Sequence, residues 1–359
     1  PIDYPTIFGQ LRQNLSASFP RVRYYGGIGF SQNHSIDPSW KLFGNYRFIV
    51  PRFEIWTDGI DTFFACNFRC SRLDIGAQNL DSQQEKSYHP ELATILVELE
   101  RLDFTQLEIS SIPAPVVPML RERVDRPNRR DWYRNIELAL AKFSNLQIDK
   151  IVLARQSSLK PNNPHSYHFC FQIDPTTAFI GTSPERLYYR QDRLLKTEAI
   201  AGTRQRGESA ETDRQLSDNL LNSVKDLHEH QLVVNNLHTI LNELCQSVTI
   251  DRELTILKLN KVQHLYTQCN GVLNSDLTDA EILPKLHPTP AVGGFPRTQA
   301  LKLIAELEPF ARGWYAAPVG WVGCDDTEFA VAIRSGLIDR DRLLLFAGAG
   351  IVTGSRSVE

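Results

Sequence analysis

The spacing of hydrophobic and polar residues changes along the chain, and each change marks a predicted element. Short runs rich in β-forming residues, at 46–56 and 62–68, alternate with turns, which predicts antiparallel sheet early in the chain. Asp131 is predicted to be the N-cap of an amphipathic helix. Apolar residues follow it at helical spacing: Trp132, Ile136, Leu140 and Phe143.

Further elements are predicted in the second half of the chain. The predicted strands are residues 150–155, 168–173, 186–189, 328–337 and 342–346, and the predicted helices are residues 213–244 and 300–307. Strands therefore cluster toward both ends with helices between them and without regular βαβ alternation, which predicts an α+β fold. The proline-rich stretch at residues 110–118 is predicted to be an extended connection.

Composition narrows the class of protein. With 42% hydrophobic and 23% charged residues, the chain has the composition of a soluble globular protein. Its net charge of −3 provides no basic surface field, so nucleic-acid binding is not expected. The chain has no apolar run of about 18 residues and no basic stretch leading into an apolar one at its start, so we expect neither membrane insertion nor a signal peptide.

The cysteines do not follow the pattern of a disulfide scaffold or of a zinc site. Cys66 and Cys70 are close in sequence, but no second Cys or His pair follows at zinc-ligand spacing. We therefore expect reduced thiols and a cytoplasmic protein. The printed chain lacks an initiator Met, which predicts a processed or truncated form.

Two polar residues next to apolar strands are candidates for acid–base chemistry. Lys150 precedes the apolar run 151–154, and a lysine buried there would have a neutral amine able to accept a proton. The alternative is a solvated lysine at a strand end. Glu185 follows a Ser-Pro pair, and in an apolar pocket it would stay protonated and could donate a proton. The alternative is a strand-edge ion pair with Arg186.

Glu229 lies between His228 and His230 in the long predicted helix. Residues at i and i+2 do not share a helix face, so we reject a zinc site. A single helix carboxylate suits Mg²⁺, which binds few protein carboxylates together with water and a substrate anion. The alternative is a solvated charge paired with Lys225.

Anion binding is expected near the C-terminal end of the chain. Arg334 emerges from an apolar strand, and its planar guanidinium matches a carboxylate. Gly348, Ala349 and Gly350 are expected to form a small-residue turn whose backbone N–H groups can approach an anion. A dinucleotide site is not predicted, because the strand–GxGxxG–helix context and the downstream acidic residue are missing.

Seven sequence blocks occur in a fixed order: KIVLAR at 150–155, GTSPER at 181–186, KTEAIAGT at 196–203, KDLHEH at 225–230, HPTPAVGGFP at 287–296, GWYAAPVGW at 313–321 and FAGAGI at 346–351. Together they resemble the chorismate-utilising enzymes and, within them, the isochorismate synthases. The resemblance extends from about residue 24 to the end of the chain. It implies a large antiparallel β-sandwich flanked by helices, in one chorismate-binding catalytic domain over residues 1–359, whose β-rich part at about 1–118 shares the core.

The resemblance also implies roles for the catalytic residues. Lys150 is the general base that activates water, and Glu185 is the general acid that protonates the departing 4-hydroxyl group. Glu229 is a ligand of Mg²⁺, which bridges to the ring carboxylate of chorismate. A second carboxylate ligand is implied in a Glu-Trp pair past the printed end of the chain at Glu359.

The remaining implied contacts are to the substrate. Arg334 and the Tyr315 hydroxyl bind the enolpyruvyl carboxylate, together with the amides of Gly348, Ala349 and Gly350. The ring is lined by Ala201, Gly202, Thr203 and His264. His264 could equally be a satisfied core histidine.

Three departures from the related enzymes favour an isochorismate synthase. Ala201 stands where common aminodeoxychorismate synthases carry a nucleophilic lysine, so water can attack. The stretch LHEHQLVV at 227–234 differs from the corresponding anthranilate synthase helix. HPTP at 287–290 differs from the Phe-Pro-Ala start of anthranilate and salicylate synthases.

The implied activity is Mg²⁺-dependent conversion of chorismate to isochorismate, with no glutaminase subunit. The pathway would be menaquinone or phylloquinone biosynthesis, or salicylate or siderophore biosynthesis. The alternatives are a salicylate synthase and a non-catalytic binding protein on the same scaffold.

Overall fold

A computed structural model describes most of the chain, namely residues 2–31, 37–57, 60–67, 90–101, 127, 129–146, 150–155, 166–259, 261–275, 277–353 and 355. The chain divides into two compact units, Pro1–Ile49 with Val124–Glu359, and Val50–Arg123. The connection predicted at 110–118, Cys70 and Glu359 lie outside the described residues. The single catalytic domain stays a prediction.

The larger unit combines helices with long strands. Its described helices are α1 (Tyr4–Gln13), α3 (Arg129–Leu146), α4 (Ala210–Leu221), α5 (Val224–Leu244), α6 (Asp279–Leu286) and α7 (Arg297–Leu307), with a 3₁₀ turn at Pro38–Trp40. Its described strands are β1 (Tyr24–Ile28), β2 (Tyr46–Ile49), β5 (Lys150–Arg155), β6 (Tyr167–Asp174), β7 (Thr177–Ser183), β8 (Arg186–Gln191), β9 (Leu194–Gln205), β10 (Cys245–Ile250), β11 (Thr255–Lys258), β12 (Val262–Leu273), β13 (Gly294–Phe295), β14 (Pro318–Val322), β15 (Asp326–Val331), β16 (Ser335–Asp339) and β17 (Arg342–Val352).

The smaller unit contributes a strand pair and a helix to the described residues. Strands β3 (Phe53–Thr57) and β4 (Thr62–Cys66) pair antiparallel, and helix α2 spans Pro90–Glu100. Residues 46–56 were predicted as one β-rich run, but β2 ends before Pro51 and β3 begins after it. Proline has no N–H for a ladder and so interrupts the strand there.

The two large sheets of the larger unit are antiparallel. One has the order β10-β12-β9-β8-β15-β14-β1-β2, with β11 also paired to β12, and the other has the order β13-β5-β17-β16-β7-β6. Antiparallel sheets with helices among the strands confirm the predicted α+β class.

Aromatic side chains fill the core of this unit. Phe179 of β7 and Trp314 are completely buried, with ring centroids 6.4 Å apart in an edge-to-face arrangement. Tyr188 of β8 and Phe329 of β15 are also completely buried, and their ring centroids are 5.7 Å apart. Strands of both large sheets thus contribute to one hydrophobic cluster.

The helix predicted over 213–244 is two helices, α4 and α5. Ser223 separates them, and its side-chain oxygen accepts a hydrogen bond from Asp226 N as the N-cap of α5. Val224, the first residue of α5, is 82% exposed. Two further boundaries differ from the prediction, since Asp131 lies inside α3 rather than capping it and the strand predicted over 328–337 is interrupted between β15 and β16.

A buried carboxylate connects helix α6 to the sheet. Asp279 is completely buried and accepts two hydrogen bonds from Arg190, at 3.0 and 2.8 Å. The hydroxyls of Tyr188 and Thr327 donate to the same carboxylate, each at 3.0 Å. A buried charge with this many partners stabilises only while every partner remains.

We expect Asp279→Ala to lower the free energy of unfolding by about 3–5 kcal/mol, because Arg190 would stay buried without its counter-charge. Urea-induced unfolding followed by circular dichroism measures this loss. Glu243→Ala is a matched control, since it removes the carboxylate of an exposed pair with Lys285 and should cost about 1 kcal/mol or less. Equal losses in the two variants would contradict a structural role for Asp279.

Candidate active site

Lys150 is completely buried, which excludes the solvated strand-end alternative. Strand β5 is flanked on one side by β17 and on the other by β13, with Lys150 paired to Val352 and Phe295. Its Nζ atom lies 3.0 Å from Oε1 of Glu229 on helix α5. The ammonium makes no hydrogen bond of regular geometry with the described residues. Its N–H groups are therefore available to a molecule in the site.

Glycines leave room for this pair and for a nearby tyrosine. A Cβ atom on Gly350 would lie 2.2 Å from Glu229 Oε1, and one on Gly348 would lie 2.8 Å from the Tyr315 hydroxyl. The turn expected here is wrong, because both residues lie in strand β17 opposite β5. Successive residues of a strand face opposite sides, so Ala349 points away from Glu229 and Tyr315. Its contact with substrate stays a prediction.

Glu185 immediately precedes strand β8 and is 4% exposed. Burial raises the pKa of its carboxyl group to about 8, and the nearby charge of Glu198 acts in the same direction. Lys150, Thr289 and Arg334 oppose this rise. A carboxyl with this pKa is largely protonated at neutral pH, as proton donation requires.

A β-bulge shapes the site beside Glu185. His264 of β12 pairs with Thr203 and Leu265 pairs with Ala201, so Gly202 is the extra residue in β9. Gly202 has a φ of +73°, which glycine adopts without strain. The bulge brings the Thr203 hydroxyl to 3.0 Å from Nδ1 of His264.

His264 and Arg334 form a fixed pair. Nη2 of Arg334 lies 2.7 Å from Nε2 of His264. A guanidinium only donates hydrogen bonds, so Nε2 must accept and the neutral ring carries its proton on Nδ1. Burial, and then the charge of Arg334, lower the pKa of His264 to about 4. His264 is therefore both a satisfied histidine and a neighbour of the candidate substrate-binding arginine.

Tyr315 is buried and stacks on Phe346 with ring centroids 5.1 Å apart. Burial raises the pKa of its phenol, which therefore remains a hydrogen-bond donor. Ala201, in contrast, packs within the hydrophobic core. Its contact with the ring of a substrate stays a prediction.

Three polar residues of this region, Thr289, His230 and Glu198, were not predicted to be site residues. Thr289 is buried and its hydroxyl donates to Glu185 Oε1 at 3.5 Å. His230 is buried with Nε2 2.8 Å from the Thr267 hydroxyl, and burial and then the charge of Lys150 lower its pKa to about 4. Glu198 faces Arg186 and Tyr266. Each of the three lies in one of the seven sequence blocks, but its partner becomes visible only in the folded structure.

The fit of Mg²⁺ depends on Glu229. Its side chain is 13% exposed, and Oε1 lies 3.0 Å from Lys150 Nζ, so Oε2 is the oxygen that an ion would reach. Mg²⁺ binds one or two carboxylates and completes its shell with water and substrate oxygens, so this single carboxylate fits. Within the described residues no three His, Cys, Asp or Glu side chains are grouped as metal ligands.

The family model of the chorismate binding enzymes matches residues 7–359. The chain belongs to this family. It is 34% identical to the chloroplastic isochorismate synthase of Catharanthus roseus over 364 residues, covering 96% of this chain and 60% of that protein. It is also 34% identical to the isochorismate synthase MenF of Bacillus subtilis, covering 93% of this chain and 70% of that protein.

A solved structure also supports membership of the chorismate binding enzyme family. The structure of MenF, the menaquinone-specific isochorismate synthase from Escherichia coli, matches with a TM-score of 0.77 and 30% identity. The match covers 98% of this chain and 77% of that one. The family assignment and the resemblance found in the sequence therefore agree.

No described helix has the length and apolar character needed to cross a membrane.

We expect Gly350→Ala to separate Glu229 from Lys150, because the new Cβ atom would overlap Glu229 Oε1. Leaving the ammonium buried without its counter-charge should cost on the order of 3 kcal/mol. A crystal structure of the variant would show the lengthened Nζ–Oε1 distance, and thermal unfolding the loss. Gly9→Ala in α1 is the control, since a Cβ there meets nothing within 4 Å. An unchanged ion pair in Gly350→Ala would contradict this steric account.

Proposed function

We propose that this protein converts chorismate to isochorismate. The observation that carries the proposal is a buried lysine and a buried, protonated carboxyl in one site, Lys150 and Glu185. The charge of Lys150 acts on Glu185, so the two groups are electrostatic neighbours. The chain spans 60% of the length of the Catharanthus roseus relative, so the activity is proposed here from the residues of the site.

The two groups suit a hydroxyl exchange on the ring. The ammonium of Lys150 first releases a proton to solvent, and the resulting amine accepts a proton from water as the water oxygen bonds to C2 of chorismate. Glu185 gives its proton to the C4 hydroxyl, which leaves as water while the ring double bonds shift. One proton is taken and one is given, and no electrons are exchanged with another reactant, so the reaction needs no redox cofactor.

The substrate carboxylates require cationic or donating partners. Arg334 offers a guanidinium and Tyr315 a neutral phenol, and both are electrostatic neighbours of Glu185. We assign the enolpyruvyl carboxylate to these two residues and the strand beside Gly348 and Gly350. Gly202, Thr203 and His264 form the edge of the site against the ring. Ala201 lacks an amine, which leaves water as the nucleophile and no need for a glutaminase subunit.

We assign Mg²⁺ to Glu229 as its ligand from this chain. When bound, the ion would neutralise the ring carboxylate of chorismate and orient it. The name of the Escherichia coli relative, a menaquinone-specific isochorismate synthase, supports menaquinone biosynthesis as the pathway. A salicylate synthase would also release pyruvate, so the product distinguishes the two activities.

Lys150→Ala should lower kcat for isochorismate formation by roughly 10²–10⁴-fold, because it removes the general base. Chromatography of chorismate incubated with enzyme and Mg²⁺ measures the product. In ¹⁸O-labelled water the parent enzyme should place the label at C2. Lys142→Ala, which removes an exposed lysine paired with Glu306, is the control and should keep parent activity. Stoichiometric pyruvate release by the parent would identify a salicylate synthase instead.

Glu185→Gln should bind chorismate but lose roughly 10²–10⁴-fold in kcat, because an amide cannot donate the proton. In the parent enzyme the acid form is present below its pKa of about 8, so activity should fall as the pH rises through about 8. The pH dependence of kcat/KM between pH 6 and 10 measures this limb. A variant with the turnover and pH profile of the parent would exclude Glu185 as the acid.

Glu229→Gln should weaken Mg²⁺ binding, because an amide oxygen replaces a charged ligand. Calorimetric titration of Mg²⁺ and the Mg²⁺ concentration for half-maximal activity both measure the change. Glu243→Gln, on the same helix and exposed, is the control. Identical Mg²⁺ affinity in parent and Glu229→Gln would place the ion elsewhere.

A further inference from the structure

Glu198 has no role in the proposed reaction, although it lies in the block at 196–203. Its side chain on strand β9 is mostly buried. Oε1 accepts a hydrogen bond of 2.7 Å from the backbone N–H of Arg186, and Oε2 accepts one of 3.1 Å from the Tyr266 hydroxyl. Hydrogen bonds to a charged acceptor are among the stronger ones in proteins.

The backbone contact bears directly on the acid, because Arg186 follows Glu185 in the chain. On the other side, the Ser183 hydroxyl oxygen accepts a hydrogen bond of 3.2 Å from Glu185 N. The main chain at Glu185 is therefore held between two side chains from outside strand β8. Movement of the Arg186 amide would move the Glu185 carboxyl group with it.

The charge of Glu198 also reaches Glu185. Nε of Arg186 donates to Glu328 at 3.1 Å, whereas its guanidinium is 3.9 Å from Glu198. The guanidinium therefore neutralises Glu328 more closely than Glu198. Among the described residues, the other charged or titratable groups around Glu185 are Lys150, Arg334 and Tyr315, and those around Glu198 are Arg186, Glu328, Tyr167, Tyr266 and Cys269. Glu198 is the largest electrostatic influence that raises the pKa of Glu185.

Glu198 also lines a cleft. This cleft of about 440 Å³ is lined by Glu198, Arg186, Glu328, Tyr167 and Tyr266 with Ser166, Pro184 and Leu257. Glu185 does not line it, although both of its chain neighbours do. Removing the charge of Glu198 therefore changes none of the side chains that we assign to the substrate.

We propose that Glu198 is a positioning residue, which fixes the main chain beside Glu185 through its hydrogen bond with the Arg186 N–H and places a negative charge near the acid. This inference rests on the proposed function of Glu185 as the general acid. Two substitutions separate the two effects. Glu198→Gln keeps an oxygen for the Arg186 N–H and a partner for Tyr266 but loses the charge. Glu198→Ala loses the hydrogen bonds as well as the charge.

The pH profile of kcat/KM is the first readout. In Glu198→Gln the alkaline limb should move to lower pH by roughly one unit or more, because a like charge next to the acid has been removed, while activity near pH 6 should match the parent. Glu198→Ala should show the same movement and a further loss of kcat at every pH. Glu328→Gln, which contacts neither Glu185 nor the Arg186 amide in the described hydrogen bonds, should leave the limb in place.

The second readout does not depend on activity. The carboxyl ¹³C resonance of Glu185, assigned by its absence in Glu185→Gln, can be titrated without substrate in parent and Glu198→Gln. Equal midpoints would overturn the electrostatic part of the proposal, and equal kcat in Glu198→Ala and Glu198→Gln would overturn the positioning part. A midpoint that moves in an enzyme without an alkaline limb would instead contradict Glu185 as the acid and leave the role of Glu198 standing.

Discussion

The burial of one ammonium group constrains the rest of this site. Moving a charged lysine out of water is costly, and the cost is tolerable only with a counter-charge nearby. Lys150 has Glu229 at 3.0 Å, so strand β5 and helix α5 must keep a fixed separation. Gly350 follows from the same constraint, because any larger residue would occupy the position of the carboxylate. A buried amine without a regular hydrogen bond is stable enough to persist and still available to a reactant.

The site is assembled from interruptions of regular structure. Gly202 forms a bulge in β9, and Arg334 adopts a φ of +51° between β15 and β16. Such conformations are unfavourable for most residues and persist where the surroundings hold them. Here the hydrogen bonds of His264 join the two interruptions, since one ring nitrogen faces Thr203 and the other accepts from Arg334. Orientation of the arginine thus depends on a bulge in another strand.

The sequence predicted the fold class, because periodicity and turn residues act locally, and the site residues that it proposed stay predictions. It did not predict the break at Ser223, because the helical spacing of apolar residues is the same whether a serine lies inside one helix or caps the next. The strand position of Gly348 was also missed, because glycine permits both a turn and close approach within a strand. Glu198 and Thr289 depend on long-range pairing, which no local pattern encodes.

The break between α4 and α5 determines the direction in which Glu229 points. Sixteen residues separate Asp213 from Glu229, and at about 100° per residue an unbroken helix would place them about 160° apart around its axis. Asp213 is nevertheless buried against Arg206 and Lys258, while Glu229 reaches Lys150. Restarting the helix at Ser223 resets the rotation, so each half turns its own acidic residue inward.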